Sequence, residues 1–110
     1  MARAATTLDI FNAVAEPKRR TVLSVLQGGQ LSVNEIVDRL SWPQPQVSKH
    51  LSVLKQVGLV SVERNGRQQI YSLNAGEIKP IFDWAKSFEK LWSDHLLSIK
   101  EVAEQRAGKK

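Results

Sequence analysis

An Asn-Gly pair set between two alternating segments constrains this chain more than any other feature. Residues 59–76 read LVSVERNGRQQIYSLNAG. Asn65-Gly66 is a strong hairpin signal, because a two-residue turn of the right hand needs residues that tolerate positive φ. A turn centred on the pair sets Arg64 opposite Arg67, Val62 opposite Gln69 and Val60 opposite Tyr71. Val60, Val62, Tyr71 and Leu73 then share one face, so turn and hydrophobic pattern agree. A two-stranded ribbon with one apolar face needs something to pack against.

Helices supply it. TTLDIFNAVAEPKRRTVLSVLQGG reads as two short ones. Thr7 is the expected N-cap of the first, with Leu8, Phe11 and Val14 on its apolar side. Pro17 suits the first position of the second, where its missing N–H costs nothing. Gly28 and Gly29 end it. Ser32 and Glu35 spell a capping box for a third helix, whose inward side is Ile36, Val37 and Leu40. In SWPQPQVSKHLSVLKQVGLV a fourth helix follows, with Val47, Leu51 and Leu54 inward and Gly58 as its stop. The residue before a proline avoids the helical region. That places Gln44 at the N-cap and Pro45 at the first helical position, and leaves the amides of Gln46 and Val47 open to an anion. The remainder predicts one long helix over 77–105. Ile81, Ala85, Phe88, Trp92, His95, Ile99 and Val102 recur at heptad spacing along it.

The fold class is therefore mainly α with a small β-hairpin. The order is that of a winged helix-turn-helix, in a single domain over residues 1–110. The helix-turn-helix spans 32–57, the wing 60–73, and the flanking helices 7–15 and 77–105.

Charge and residue types narrow the function classes. The chain carries a formal net charge of +5, which favours anionic partners. It has no cysteine, which excludes disulfides, thiolate metal sites and cysteine nucleophiles. No apolar run has membrane-spanning length, and the start lacks a signal-peptide core, so a cytoplasmic location is expected. No nucleophile, base and orienting group assemble, and no phosphate loop is present. An enzyme is not expected, nor a cofactor.

Along the fourth helix Pro45, Gln46, Lys49, Ser52, Val53 and Gln56 face outward by helical geometry, with Ser48 and His50 on the flanks. Glutamine pairs bidentately with adenine, and lysine reaches guanine or phosphate, so this face suits a major groove. Arg64 and Arg67, opposed across the hairpin, repel one another unless an anion lies between them. A solvated polar face and two solvated arginines are the bland alternatives. Lys18, Arg19 and Arg20 form a second basic cluster, with a Glu16–Arg20 helix pair accounting for one member and the others available to DNA backbone.

The stretch LSVNEIVDRLSWPQPQVSKHLSVLKQVGLVSVERNGRQQIYSL resembles the DNA-binding core of the ArsR family of small bacterial repressors. PKRRTVLSVL, VSKHLSVLKQVGLV and the RNGRQQIYSL wing each carry part of that resemblance, which covers roughly residues 8–75. It implies a homodimer joined through the first and last helices, and an operator in double-stranded DNA near the protein's own promoter. A small-molecule or protein effector is left unidentified. On the family pattern Gln44, Gln46, Ser48 and Lys49 meet base edges, His50 the backbone or the core, and Arg64 and Arg67 the wing's share of the DNA. The interface would use Leu8, Phe11, Phe88, Trp92, His95, Leu96 and Ile99. That much apolar surface independently favours a partner helix.

Many relatives implied by the resemblance bind metal, through cysteines in the third helix or Asp/His/Glu sets on the last. This chain offers Ser32, Asn34 and Glu35 in the first place and one histidine, His95, beside Asp94 in the second. Tetrahedral zinc wants about four ligands, so no metal is expected. Trp84, Phe88 and Trp92 read as core or interface anchors rather than the wall of an effector pocket. A winged-helix module that binds protein is the competing function class, and steep salt dependence separates DNA binding from it.

Overall fold

The structure, a computed structural model, describes residues 9–94. The described residues form two compact units, divided between Ile78 and Lys79. Thr7, Leu8, His95, Leu96, Ile99 and Val102 lie outside the described residues.

The first unit runs α1 (Ile10–Val14), α2 (Pro17–Val25), β1 (Leu31–Ser32), α3 (Val33–Leu40), α4 (Gln44–Gln56), β2 (Val60–Asn65) and β3 (Gln68–Leu73). Asp9 is the N-cap of α1, its carboxylate accepting from the Asn12 N–H at 2.8 Å. The expected cap, Thr7, is two residues earlier; α1 is accordingly only five residues long. Pro17 does open α2, behind Glu16, whose side chain accepts from the Lys18 N–H. The capping box at α3 is complete: Glu35 N–H donates to Ser32 Oγ at 3.2 Å, and Ser32 N–H donates to Glu35 Oε1 at 2.8 Å.

Between α3 and α4 the chain turns at Ser41, which sits at φ 57° and ψ 38° while its N–H donates to Val37 O at 2.7 Å. It is the one non-glycine residue at positive φ among the described residues. Gly58 ends α4 at φ 86°. Leu59 N–H reaches back to Leu54 O and Gly58 N–H to Lys55 O, at 2.9 and 3.0 Å. Those two bonds are a Schellman motif, and its left-handed residue is why glycine stands there. Asn74 then fastens the base of the hairpin to this cap, Nδ2 donating to Gly58 O at 2.9 Å.

The sheet has three antiparallel strands in the order β1-β3-β2. β1 was not anticipated: it is two residues long and overlaps the α3 cap, so it carries no alternation to read. Leu31 pairs with Tyr71 and Ser32 with Ile70. The hairpin register also differs from expectation. Val60 pairs with Leu73, Val62 with Tyr71 and Arg64 with Gln69, so Gly66 and Arg67 form the turn. Gly66 at φ 65° is its first central residue and Arg67 is not at positive φ. That is the pattern of a turn with glycine at the first central position. The slip is of two residues, which leaves each side chain on the face expected for it.

The core lies where α2, α3 and α4 meet the sheet. Val22, Leu26, Ile36, Val47, Leu51, Leu54, Leu59 and Val60 are almost fully buried in it. Val53, expected to face outward, packs against this core instead.

The second unit begins with α5 (Lys79–Lys86). The continuous helix expected over 77–105 is interrupted. Residues 75–78 are a tight 3-10 turn, residues 87–88 a second turn, and helix resumes at 89–94. Ser87 accounts for the break. Its N–H is shared between Asp83 O and Trp84 O, and its hydroxyl donates to Trp84 O at 2.6 Å. Side-chain back-bonding of this kind competes with the helical ladder. Phe88 N–H accordingly reaches only Ala85 O, three residues back.

Candidate nucleic-acid interface

The start of α4 decides what the first unit presents. Pro43 is the N-cap, Gln44 the first helical residue and Pro45 the second. The helix begins one residue earlier than expected. Pro43 O accepts from the Gln46 N–H at 3.1 Å and the Val47 N–H at 3.2 Å. Those two amides are thus satisfied within the helix and are not open to an anion. Pro43 and Pro45 have no N–H to satisfy, so the missing side-chain cap leaves little unpaired.

The side chains of α4 divide cleanly. Val47, His50, Leu51 and Leu54 are buried. Gln44, Pro45, Lys49, Ser52 and Gln56 are exposed; Gln46 and Ser48 are half-buried. By the helical repeat, Pro45, Lys49, Ser52 and Gln56 line the middle of the outer face. Gln44 and Ser48 lie on one flank of it and Gln46 on the other. The four predicted base-reading residues therefore surround the outer face rather than forming one stripe.

His50 does not belong to this face. It is 8% exposed, and its Nδ1 is buried without a hydrogen-bond partner. Of the two places expected for it, DNA backbone or core, it occupies the core and is not exposed for DNA contact. Burial lowers its pKa from the usual 6.5, and Arg19 lowers it further. Glu16 acts in the opposite direction, and Lys18 and Lys49 add to the lowering. The sequence showed a histidine on a flank; the neighbours that bury it come from α2 and Trp42.

The basic cluster of α2 works inward as well. Arg19 Nε donates to Ala13 O at 2.7 Å, and Arg20 Nη1 to Val14 O at 2.6 Å. Both tie the end of α1 to the start of α2, where helix carbonyls otherwise lack donors. Arg20 is thus engaged by backbone, not by Glu16. Lys18 Nζ lies 5.6 Å from the centroid of Trp42, within cation–π range.

The wing arginines are exposed, but they are not opposed as expected. Arg64 faces Gln69 across the ladder, and Arg67 occupies the turn. Directly opposed residues share a face of the sheet. Arg64 and Gln69 thus continue the face that carries Val62 and Tyr71, past the end of the core. There a cleft of about 230 Å³ opens between the hairpin and the starts of α3 and α4. Asn34, Gln44, Arg64, Arg67, Gln68 and Gln69 line it, and no carboxylate does. Asn34, Gln68 and Gln69 were not expected from sequence at the DNA-facing surface. The register would have revealed Gln69, since a slip of two moves it from Val62 to Arg64.

The start of α3 does not fit a metal site. It has no thiolate, and Ser32 and Glu35 are engaged with each other in the capping box. Among the described residues no cluster of three or more potential ligands exists. No helix among them is long and apolar enough to cross a membrane.

In the second unit, Phe82, Trp84 and Leu91 are each 58% exposed, and Phe88 and Trp92 about as exposed as Phe11 of α1. Trp84 and Phe88 meet edge-to-face at 5.4 Å. Leu8, His95, Leu96 and Ile99, the other predicted interface residues, fall outside the described residues.

Comparison with known proteins agrees with this architecture. Residues 16–62 match the family model described as "Bacterial regulatory protein, arsR family". The transcriptional repressor SdpR of Bacillus subtilis is 32% identical over 80 residues, which span 73% of this chain and 89% of that protein. The HTH-type transcriptional repressor SmtB of Mycobacterium tuberculosis is 43% identical over 65 residues, 59% of this chain and 48% of SmtB. The crystal structure of a possible transcriptional regulator for arsenical resistance superposes with a TM-score of 0.67. It is 29% identical, and the match covers 80% of this chain and 97% of that one. The chain belongs to the arsR family of bacterial regulatory proteins and is a DNA-binding transcriptional regulator with a winged helix-turn-helix fold.

Proposed function

We propose that the protein is a homodimeric repressor that binds an operator near its own promoter. The supporting observation is the arrangement of one surface. The exposed start of α4 and the two wing arginines flank a cleft with no acidic lining. In such motifs the first turns of the recognition helix read base edges in the major groove. Gln46, Ser48 and Lys49 supply donors and acceptors for that purpose, and Arg64 and Arg67 take backbone phosphate. His50 acts from inside, holding α4 against α2 and Trp42.

Dimerisation is supported by the exposure of large apolar side chains. Phe11 and, in the second unit, Phe82, Trp84, Phe88 and Trp92 expose more aromatic surface than a lone small domain commonly does. Two recognition helices then address half-sites about one helical turn, or a small multiple of it, apart. The protein has no enzymatic role in this reading, and the signal that releases it is not a thiolate-bound metal.

Footprinting on the DNA upstream of its own gene tests the proposal. Two symmetric protected half-sites are the outcome expected; an unprotected region contradicts it. Repeating the footprint with candidate metals and small molecules would find the releasing signal.

A further inference from the structure

We propose that the cleft between the hairpin and the starts of α3 and α4 seats a single DNA backbone phosphate. Gln44 then positions the protein on that phosphate and does not read a base. This deepens the proposed function and rests on it for the identity of the ligand.

Four observations carry the assignment. The cleft is open to solvent and offers about 230 Å³, many times the roughly 10–15 Å³ that seats one water, so a hydrated oxyanion fits. Two guanidinium groups border it, and neither Arg64 nor Arg67 has an ion-pair partner among the described residues. Arg64 Nε is 3.5 Å from Gly66 O, which holds its guanidinium beside the turn. The nearby acid, Glu35, accepts from the Ser32 N–H and does not line the cleft.

The rest of the lining is Ser32, Val33 and four side-chain amides, Asn34, Gln44, Gln68 and Gln69. Uncharged amides donate to an anion without competing for the arginines. A tetrahedral phosphate accepts several such bonds at once, and guanidinium groups match its geometry. The location selects the source. Gln44 opens α4, so when α4 lies in a major groove the cleft lies at the groove's edge, where the sugar-phosphate strand runs. Arg67 in the turn approaches the same strand from the hairpin. One phosphate thereby fixes the recognition helix and the wing in a common register, a positioning role that carries no sequence information.

The full chain is tested with operator fragments in which single phosphates are replaced by neutral methylphosphonates. One phosphate in each half-site should cost the wild type about tenfold in affinity. The same replacement should cost Arg64→Gln and Asn34→Ala nothing further, while Gln46→Ala keeps the full loss. Asn34 and Arg64 are exposed, so these variants fold. If the loss persists undiminished in Arg64→Gln and Asn34→Ala at every phosphate, the seat does not exist. On random duplex, Arg64→Gln should also lower the log–log salt slope by about 0.9. That slope does not depend on operator recognition. An unchanged slope therefore sinks the seat, whereas a wild type that fails to prefer its operator sinks the proposed function. Inorganic phosphate should displace DNA no better than chloride of equal ionic strength. A phosphate-specific release, lost in Arg64→Gln, would assign the cleft to the free ion and overturn the DNA reading.

Discussion

The imidazole of His50 meets the indole of Trp42 edge-on, their centroids 6.2 Å apart and their planes at 62°. This contact joins the buried side of α4 to the connection that precedes it, and Lys18 covers the same indole. Burial in this position disfavours the charged form of the His50 imidazole. Its pKa is lowered by burial first and then by Arg19, so the folded state binds the proton less readily than the unfolded chain. Stability from this group is whole above the unfolded value of 6.5 and falls as pH drops from there toward the lowered folded value. Urea unfolding at a series of pH values should show that decline, and His50→Gln should flatten it between about pH 6.5 and pH 5, above the carboxylate range. Parallel curves for the two proteins would mean the imidazole is hydrated.

Arg19 is a strut between helices. Arg19→Ala removes a charged donor from Ala13 O and should cost about 1–2 kcal/mol in urea unfolding, at the low end for a charge-assisted bond that is only partly buried. Lys18→Ala, which loses a more exposed cation–π contact, should cost about 0.5 kcal/mol. Equal costs would show that Arg19 matters only through its charge.

The turn between α3 and α4 depends on Ser41 accepting a left-handed backbone. Ser41→Val places a β-branched residue there and should destabilise the fold by about 1–2 kcal/mol. Ser41→Gly removes the steric penalty and should unfold at a urea concentration no lower than the wild type. A destabilised glycine variant would show that the hydroxyl, not the backbone angle, is what the turn requires.

Base reading and backbone contact should separate by mutation. Gln46→Ala should relax preference at one operator position, with about 1–3 kcal/mol of discrimination lost. Arg67→Ala should weaken all duplexes alike and flatten the salt dependence. Binding isotherms against single-base operator variants distinguish the two. Uniform effects from both substitutions would contradict the assignment of roles.

Dimerisation through the aromatic residues of the second unit predicts that Trp92→Glu sediments as a monomer. An unchanged dimer would move the interface away from Trp92.

What the sequence made legible was local. Pro17, the Ser32–Glu35 box and Gly58 each act within one helical turn, so their residue types announce the helix ends. The three-helix core and wing followed from the same signals. The features that escaped are tertiary, or degenerate in pattern. A register slip of two preserves every face, so alternation could not separate Arg64 opposite Arg67 from Arg64 opposite Gln69. Arg20 read as the helix partner of Glu16 and Arg19 as part of a basic cluster facing DNA, because the carbonyls that engage them belong to α1. Heptad spacing carried the last helix through Ser87, although that hydroxyl was able to turn back on its own backbone. Pro43 and Pro45 correctly marked a helix start, but Gln44 accepted helical geometry despite the proline after it.

The most direct test of the central claim is the affinity of the purified protein for its own upstream duplex against a random duplex of equal length, measured across a salt series. The account predicts a preference of about a thousandfold or more at physiological salt, within the usual range for specific regulators. It also predicts that both affinities fall linearly with salt on a log–log scale. Equal affinity for the two duplexes, or binding insensitive to salt, would contradict it.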